Sequence, residues 1–409
     1  MSGMMKQIFI LCFLMATAIA ADDKTVSPAD KTTSPDTEEK PEINVKHGDK
    51  GWEFSTSDDK YKLQFQSRLQ FRYAAPFDSD PLTLNDFEED QHILKINRAR
   101  LKIGGNAFRK WLKYYWEYEL FSANLLDFRM MVEKFPCLKV KVGQWKAQYN
   151  RERMISSGKQ QLVDRSLINR AFTIDRQQGV SLFGHLKGEG IADFNYWASV
   201  FNGHGRGAKE NDDRHLMYMI RGQWNFLGRE VKFSGSDSKY NKKPVGLLAL
   251  GAVTNRSPYT RFSQAGGGQL EGFEDGAPGQ YRVNQWMQET AFMFRGFAWQ
   301  QELHWKQIDD KVNRKITTLI GNYLQFGYFF HYAFSWMPKP LELAFRYAIY
   351  NPDIDQPQNL QEEFSLDVNW FFHDHLNKLT AEISVFDFQQ TVENQRDGFR
   401  FRLQWDVSM

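Results

Sequence analysis

Cysteine is almost missing: the 409 residues hold two, Cys12 and Cys137. Cys12 lies in an apolar stretch of export-signal character, so the processed chain would keep Cys137 alone and no intrachain disulfide can staple it. Long hydrophobic runs are missing too. After residue 21 no uninterrupted apolar run reaches the length of a membrane-spanning helix, and the mean hydropathy is −0.58. That excludes a helical membrane protein. An excess of one charge is also absent, with 52 Lys+Arg against 50 Asp+Glu. This near balance gives no footing for a nucleic-acid binder.

The N-terminus carries Lys6, an apolar run Ile8–Ala16 and then Ala18-Ile19-Ala20. A basic start, a short apolar core and an A-x-A site predict a signal peptide over residues 1–20. Residues 21–50 set Pro28, Pro35 and Pro41 among Thr, Ser, Asp, Glu and Lys. Such a segment cannot bury a core, and it is expected to be a disordered tether facing the periplasm. Residues 51–409 are expected to form one domain.

Aromatics, in contrast, are plentiful: 15% of the chain, with Phe 34, Tyr 16 and Trp 12. A chain polar on average yet dense in aromatics suits a transmembrane barrel, where half of each strand faces water and aromatics gather at the interfaces. The last strand is the clearest. Phe399, Phe401, Leu403, Trp405 and Val407 fall on one parity; Arg400, Arg402, Gln404 and Asp406 fall on the other. Successive strand residues point to opposite faces, so one face is greasy and the other charged. About sixteen alternating segments succeed one another from Tyr61–Tyr73 to Gly398–Val407, including Glu289–Arg295 and Tyr323–Phe330. The expected fold is all-β: a transmembrane antiparallel β-barrel of about 16 strands with a long inward-folded third loop. Connections alternate in length. Lys187–Gly190, Arg295-Gly296 and His373–Asn377 are tight; Asp78–Asp90, Lys146–Arg176, Asn202–Arg214, Asn255–Gln288 and Asn351–Glu363 are longer. Short turns on one side and long loops on the other is the outer-membrane arrangement. The Leu227–Lys243 turn is long for its side.

Several stretches resemble the phosphate-selective porin O and P family of Gram-negative outer membranes. They are Ile96-Asn97-Arg98-Ala99-Arg100-Leu101-Lys102-Ile103-Gly104-Gly105, Val142-Gly143-Gln144-Trp145-Lys146, Asp175-Arg176-Gln177-Gln178-Gly179-Val180, Asn195–Gly203, Leu341–Tyr347, Val368–Phe372 and Arg402-Leu403-Gln404-Trp405. The resemblance covers roughly residues 55–409. It implies a sixteen-stranded trimeric barrel that passes anions, often phosphate or polyphosphate, with a third loop folded into the lumen. The chain departs from the pattern at its end, where Ser408-Met409 stands in place of a terminal aromatic residue; Met409 keeps the lipid-facing parity.

The segment Lys146–Arg176 holds seven cations against three carboxylates, a net of +4, while the whole chain is only +2. Its Arg151, Arg153, Lys159, Arg165, Arg170 and Arg176 are the candidate anion-binding residues of a pore constriction. Arginine suits the task because its fork matches phosphate oxygens and keeps its charge. A basic constriction concentrates anions and disfavours cations. The candidate basic wall comprises Arg68, Arg72, Arg98, Arg100, Lys102, Lys139, Lys141, Arg346, Arg400 and Arg402. The competing reading is that Glu117, Glu119, Asp127, Glu133, Glu302, Glu342 and Glu382, on the same water-facing parity, pair with them. His373-Asp374-His375 falls in a tight turn that would spread the side chains apart, so no metal or cofactor is assigned. Trp299, Trp305, Trp336 and Trp370 are read as interface anchors. No Ser-His or Asp-His arrangement supports a hydrolase. The expected partners are outer-membrane lipid, small anionic solutes and further copies in a homotrimer, with no nucleic acid. A non-selective general porin, or an adhesin using the Asn255–Gln288 loop, is the alternative.

Overall fold

In the C-terminal strand Arg400, Arg402 and Asp406 are buried, while Trp405 is 46% and Phe399 53% exposed. A soluble protein does the reverse. Charges turned inward and aromatics turned outward are stable only where lipid lies outside and polar groups meet each other inside. In the computed structural model, which describes residues 42–82, 86–87, 90–208, 210–211, 213–263, 267–389 and 398–409, this pattern recurs around a closed sheet. The expected signal peptide and most of the tether lie outside the described residues. The described compact unit is Ile43–Met409.

A hairpin comes first: β1 (Ile43–Gly48) and β2 (Gly51–Thr56). The barrel follows: β3 (Lys62–Ala75), β4 (Ile93–Asn106), β5 (Leu112–Glu119), β6 (Asn124–Phe135), β7 (Leu138–Lys146), β8 (Arg176–Lys187), β9 (Asp193–Phe201), β10 (Met217–Trp224), β11 (Val245–Ser257), β12 (Tyr281–Phe294), β13 (Phe297–Asp310), β14 (Lys315–Tyr328), β15 (Leu341–Asn351), β16 (Gln361–His373), β17 (Asn377–Phe388) and β18 (Gly398–Ser408). Each barrel strand pairs antiparallel with the next, and β18 returns to β3 with Phe401 opposite Ala75 and Ser408 opposite Arg68. Sixteen strands therefore close on themselves, which leaves no barrel edge unpaired in the membrane. The turn between β12 and β13 is two residues, Arg295 (φ 49°) and Gly296 (φ 83°). Two consecutive positive φ values match the twist of a tight hairpin. Trp299, Trp305 and Trp370 share the outward parity.

The larger departures from the sequence reading are in the N-terminal hairpin, β12 and β14. Ile43–Gly48, placed in the tether, is a strand paired with β2, its Ile43 and Val45 alternating with Asn44 and Lys46. β12 begins at Tyr281 rather than Glu289. Its first half buries Tyr281, Val283 and Met287 and exposes Arg282, so apolar residues face inward there and the alternation has the opposite sign. β14 begins at Lys315 rather than Tyr323; Ile316 and Ile320 face outward while Leu319 faces inward, so no alternation is visible.

Leu403, in the middle of β18 and on its outward face, is 36% exposed. Leu403→Lys puts an ammonium against hydrocarbon and is expected to destabilise the barrel by roughly 2–4 kcal/mol. Guanidinium unfolding in lipid bilayers measures it; a change within experimental scatter would contradict the outward placement.

Candidate functional site

The inward face is built by register. Glu382 of β17 stands opposite Arg402 of β18, and Glu119 and Glu117 of β5 stand opposite Arg100 and Lys102 of β4. Cross-strand neighbours of opposite charge then pair. Arg402 Nε donates to Glu382 at 2.7 Å, Arg346 Nε to Glu363 at 2.9 Å and Arg68 Nε to Asp406 at 2.7 Å. Arg100 bonds both Glu117 (2.9 Å) and Glu119 (2.8 Å). Arg72 pairs with Asp78 (3.0 Å), and Arg72 and Arg98 share Asp164 at 3.1 Å each. Arg400 donates to the Ser79 carbonyl at 3.0 Å and lies 3.8 Å from Glu382. Wall pairing thus takes up most of the strand arginines. Lys139 faces the Phe183 ring at 5.7 Å.

Residues 147–175 join β7 to β8 and carry two single-turn helices, α1 (Arg151–Met154) and α2 (Asn169–Phe172). Wall carboxylates accept hydrogen bonds from this segment's own backbone. Glu302 takes Glu152 N at 2.7 Å and Asn150 Nδ2 at 3.0 Å; Glu289 takes Arg151 N at 3.1 Å. Glu363 takes Leu167 N at 2.7 Å, and Glu382 takes Val163 N at 3.1 Å. Wall cations bind its carbonyls: Lys306 that of Ala171 (2.7 Å), Lys378 that of Gln160 (2.7 Å) and Arg346 that of Asp164 (2.8 Å). Apolar residues complete the seat. Tyr149, Leu167, Ile168, Ala171, Phe172 and Ile174 join one buried cluster with Met219, Met287, Ile308, Leu319 and Tyr323 of the strands. At its far end Ser157 accepts from Arg68 of β3 at 2.8 Å.

The segment's own cations are mostly spent on the protein. Arg151 Nη2 donates to the carbonyls of Lys232 (2.5 Å) and Ser234 (3.2 Å). Arg153 pairs with Asp175 at 3.1 Å, and Arg165 binds the carbonyls of Glu152 and Ile155, each at 3.1 Å. Arg170 pairs with Glu271, and Arg176 with Asp127 at 2.6 Å. Burial pushes the Asp164 carboxyl up, but Arg98, Arg72 and Arg165 outweigh it and hold it well below the ordinary range. Lys159 remains exposed.

Opposite the docked side lies a cavity of about 540 Å³. Its lining comes from β3 through β9, from the segment's Gln148, Met154, Ser156, Gly158 and Lys159, from Asp49 and Lys50 between β1 and β2, and from Phe233, His375, Leu376 and Ser408. The charged lining residues are Lys50, Arg68, Arg100, Lys102, Arg129, Lys141, Lys146 and Lys159 against Asp49, Glu117 and Asp127, a net of +5. A second cavity of about 480 Å³ shares Lys50, Gln64, Gly104, Tyr115 and Arg129 with it and adds Lys62, Lys110, Lys113 and Asp59. Lys102 meets Gln66 (3.3 Å), Lys141 meets Gln148 (2.9 Å) and Lys146 meets the Arg153 carbonyl (3.2 Å). Among the described residues none of these three, nor Lys159, has a carboxylate within 4.0 Å. The structure therefore brings together Arg68, Arg100, Lys102, Lys141 and Lys159 of the sequence-derived set and adds Lys50, Arg129 and Lys146. Arg72, Arg98, Lys139, Arg151, Arg153, Arg165, Arg170, Arg176, Arg346, Arg400 and Arg402 do not line the cavity. Inward parity marked Arg129 in the sequence; which inward cations stay unpaired had no local signal.

The family model for phosphate-selective porin O and P matches residues 67–406. Comparison with curated protein sequences gave no match. Among solved structures, the anion-selective porin from Comamonas acidovorans superposes with a TM-score of 0.55 at 9% identity, covering 85% of this chain and 100% of that one. OmpT of Vibrio cholerae in its trimer form gives 0.53 at 10% identity, covering 86% and 100%. The outer-membrane channel DcaP of Acinetobacter baumannii gives 0.53 at 8% identity, covering 87% and 99%. At such identities the likeness establishes the barrel fold alone. Matched over most of its length and closed as a sixteen-stranded barrel, the chain belongs to the phosphate-selective porin O and P family of outer-membrane channels.

Proposed function

We propose that this channel passes small anions of phosphate size by diffusion between the 147–175 segment and the wall of β3–β9, with the segment acting as the loop that narrows the lumen. The observation that carries the reading is the group of four cavity lysines, Lys102, Lys141, Lys146 and Lys159, left without carboxylate partners among the described residues. Unpaired cations in a confined space attract anions and repel cations. A lysine ammonium is a strongly hydrated point charge, so it can hold a phosphate oxygen briefly and release it, as conduction requires. The similarity to an anion-selective porin supports the same reading, and the trimer form of the Vibrio protein supports assembly as a homotrimer.

Reversal potentials across planar bilayers in a salt gradient test this. The expected sign is that of anion preference, with chloride current reduced by added phosphate. A zero potential would instead identify a non-selective general porin.

A further inference from the structure

The connection of residues 225–244, between β10 and β11, is too long for a simple hairpin turn. The wall beside it explains why. Near that rim the inward residues of β11, β12 and β13 include Val245, Leu247, Ala249, Ala291, Met293 and Ala298. Apolar side chains turned toward a water-filled lumen need a cover. Val231, itself fully buried, packs on this patch, and Leu247 is 0% exposed beneath it.

From there the chain reaches the 147–175 segment. Gly235 N donates to the Lys159 carbonyl at 2.8 Å, while Lys159 N donates to Ser156 O at 2.7 Å. Both sides of the Lys159 backbone are thus held. A Cβ on Gly235 would lie 2.5 Å from Gln161 N and 2.9 Å from Gln161 Cβ, so only glycine permits this approach. Arg151 clamps the same junction through the Lys232 and Ser234 carbonyls. Ser236 Oγ donates to Glu342 at 2.8 Å, and the same carboxylate receives Gln161 Nε2 at 2.8 Å. Ser234 Oγ lies 3.0 Å from His375 Nε2, across the lumen on the β16–β17 turn.

We infer that residues 225–244 form a second part of the constriction, entering from the short-turn rim, and that Gly235 is a positioning residue that fixes Lys159 at the cavity. This rests on the reading of the barrel as an anion channel. A turn that only closed a hairpin would need neither the buried valine nor a contact with a loop arriving from the opposite rim. Held this way, the tip cannot swing away, and both the width of the passage and the placement of the Lys159 charge depend on the junction.

Gly235→Ala, Ser236→Ala, Lys159→Gln and the Gly235→Ala/Lys159→Gln pair decide the matter, each purified, checked for the heat-dependent gel shift of an intact barrel and recorded in planar bilayers. Gly235→Ala is expected to raise single-channel conductance and to lower the anion-over-cation permeability ratio by roughly twofold. Ser236→Ala, which removes a bond without crowding, should move both in the same direction by less. Lys159→Gln should lower selectivity in the parent and add little in the Gly235→Ala background, since the two act as one unit. Parental conductance and selectivity in both Gly235→Ala and Ser236→Ala, or fully additive effects in the pair, would overturn the inference. If the parent itself shows no anion preference, the anion-channel reading fails and the turn is judged on conductance alone.

Discussion

Replacing Lys102, Lys141, Lys146 and Lys159 together by glutamate is expected to turn the pore from anion- to cation-preferring. The cavity lining would pass from eight cations against three carboxylates to four against seven. The field in a confined passage follows that balance, and the permeability ratio is expected to change by roughly tenfold or more. Glutamine at the same four positions leaves four cations against three carboxylates, so most of the preference should vanish without inverting. Arg346→Gln is the contrasting variant. Its guanidinium belongs to Glu363 and to the Asp164 carbonyl, away from the cavity, and the reversal potential should stay at the parental value. Reversal potentials in a salt gradient read all three. A quadruple glutamate variant that keeps anion preference would place the selecting charges elsewhere.

Glu302→Ala is expected to release the start of the 147–175 segment and widen the channel. This one carboxylate receives Glu152 N and Asn150 Nδ2 and lies 2.9 Å from His304 Nε2. Removing it leaves buried donors without an acceptor, which costs roughly 2–5 kcal/mol of docking free energy. The sheet keeps its backbone ladder, so the barrel should still show its heat-dependent gel shift while conductance rises and becomes noisier. Unchanged conductance would mean that the apolar seat alone holds the segment. Docking should also respond to pH through Glu152. Burial and the neighbouring Glu302 push its carboxyl up from 4.5 to about 7. The docked form keeps a proton that a released segment would lose, so the contribution of Glu152 to docking is full below pH 4.5 and weakens as pH rises toward 7, with no further loss above. Conductance is expected to rise between pH 5 and pH 8 in the parent and to stay flat in Glu152→Gln.

The wall was legible because its signal repeats every second residue. Phe399 to Val407 shows lipid on one side and charge on the other within nine residues, and the same alternation marks all or part of each of the sixteen strands. Alternation gives no signal where that contrast is missing. Tyr281–Gln288 has Tyr281, Val283 and Met287 inside, in one buried cluster with residues of the 147–175 segment, and Ile316–Ile320 is apolar on both faces. Pairing was harder still. Arg402 with Glu382 could be suspected from parity, but Arg68 with Asp406 joins residues far apart in sequence and exists only because the barrel closes. The carboxylates Glu302 and Glu382, read as neutralising wall charges, also hold a backbone segment, as does Glu363, and nothing in their neighbourhood along the chain announces it.

What the sequence determined by itself is the alternation that makes these strands a lipid-facing wall, because the side-chain period of a strand is local. What only the tertiary structure decided is which cations remain unpaired and where the two long connections meet. Those outcomes follow from closure of the sheet, which sets distant strands opposite each other at hydrogen-bonding distance, and electrostatic partners are chosen by that distance, not by separation along the chain.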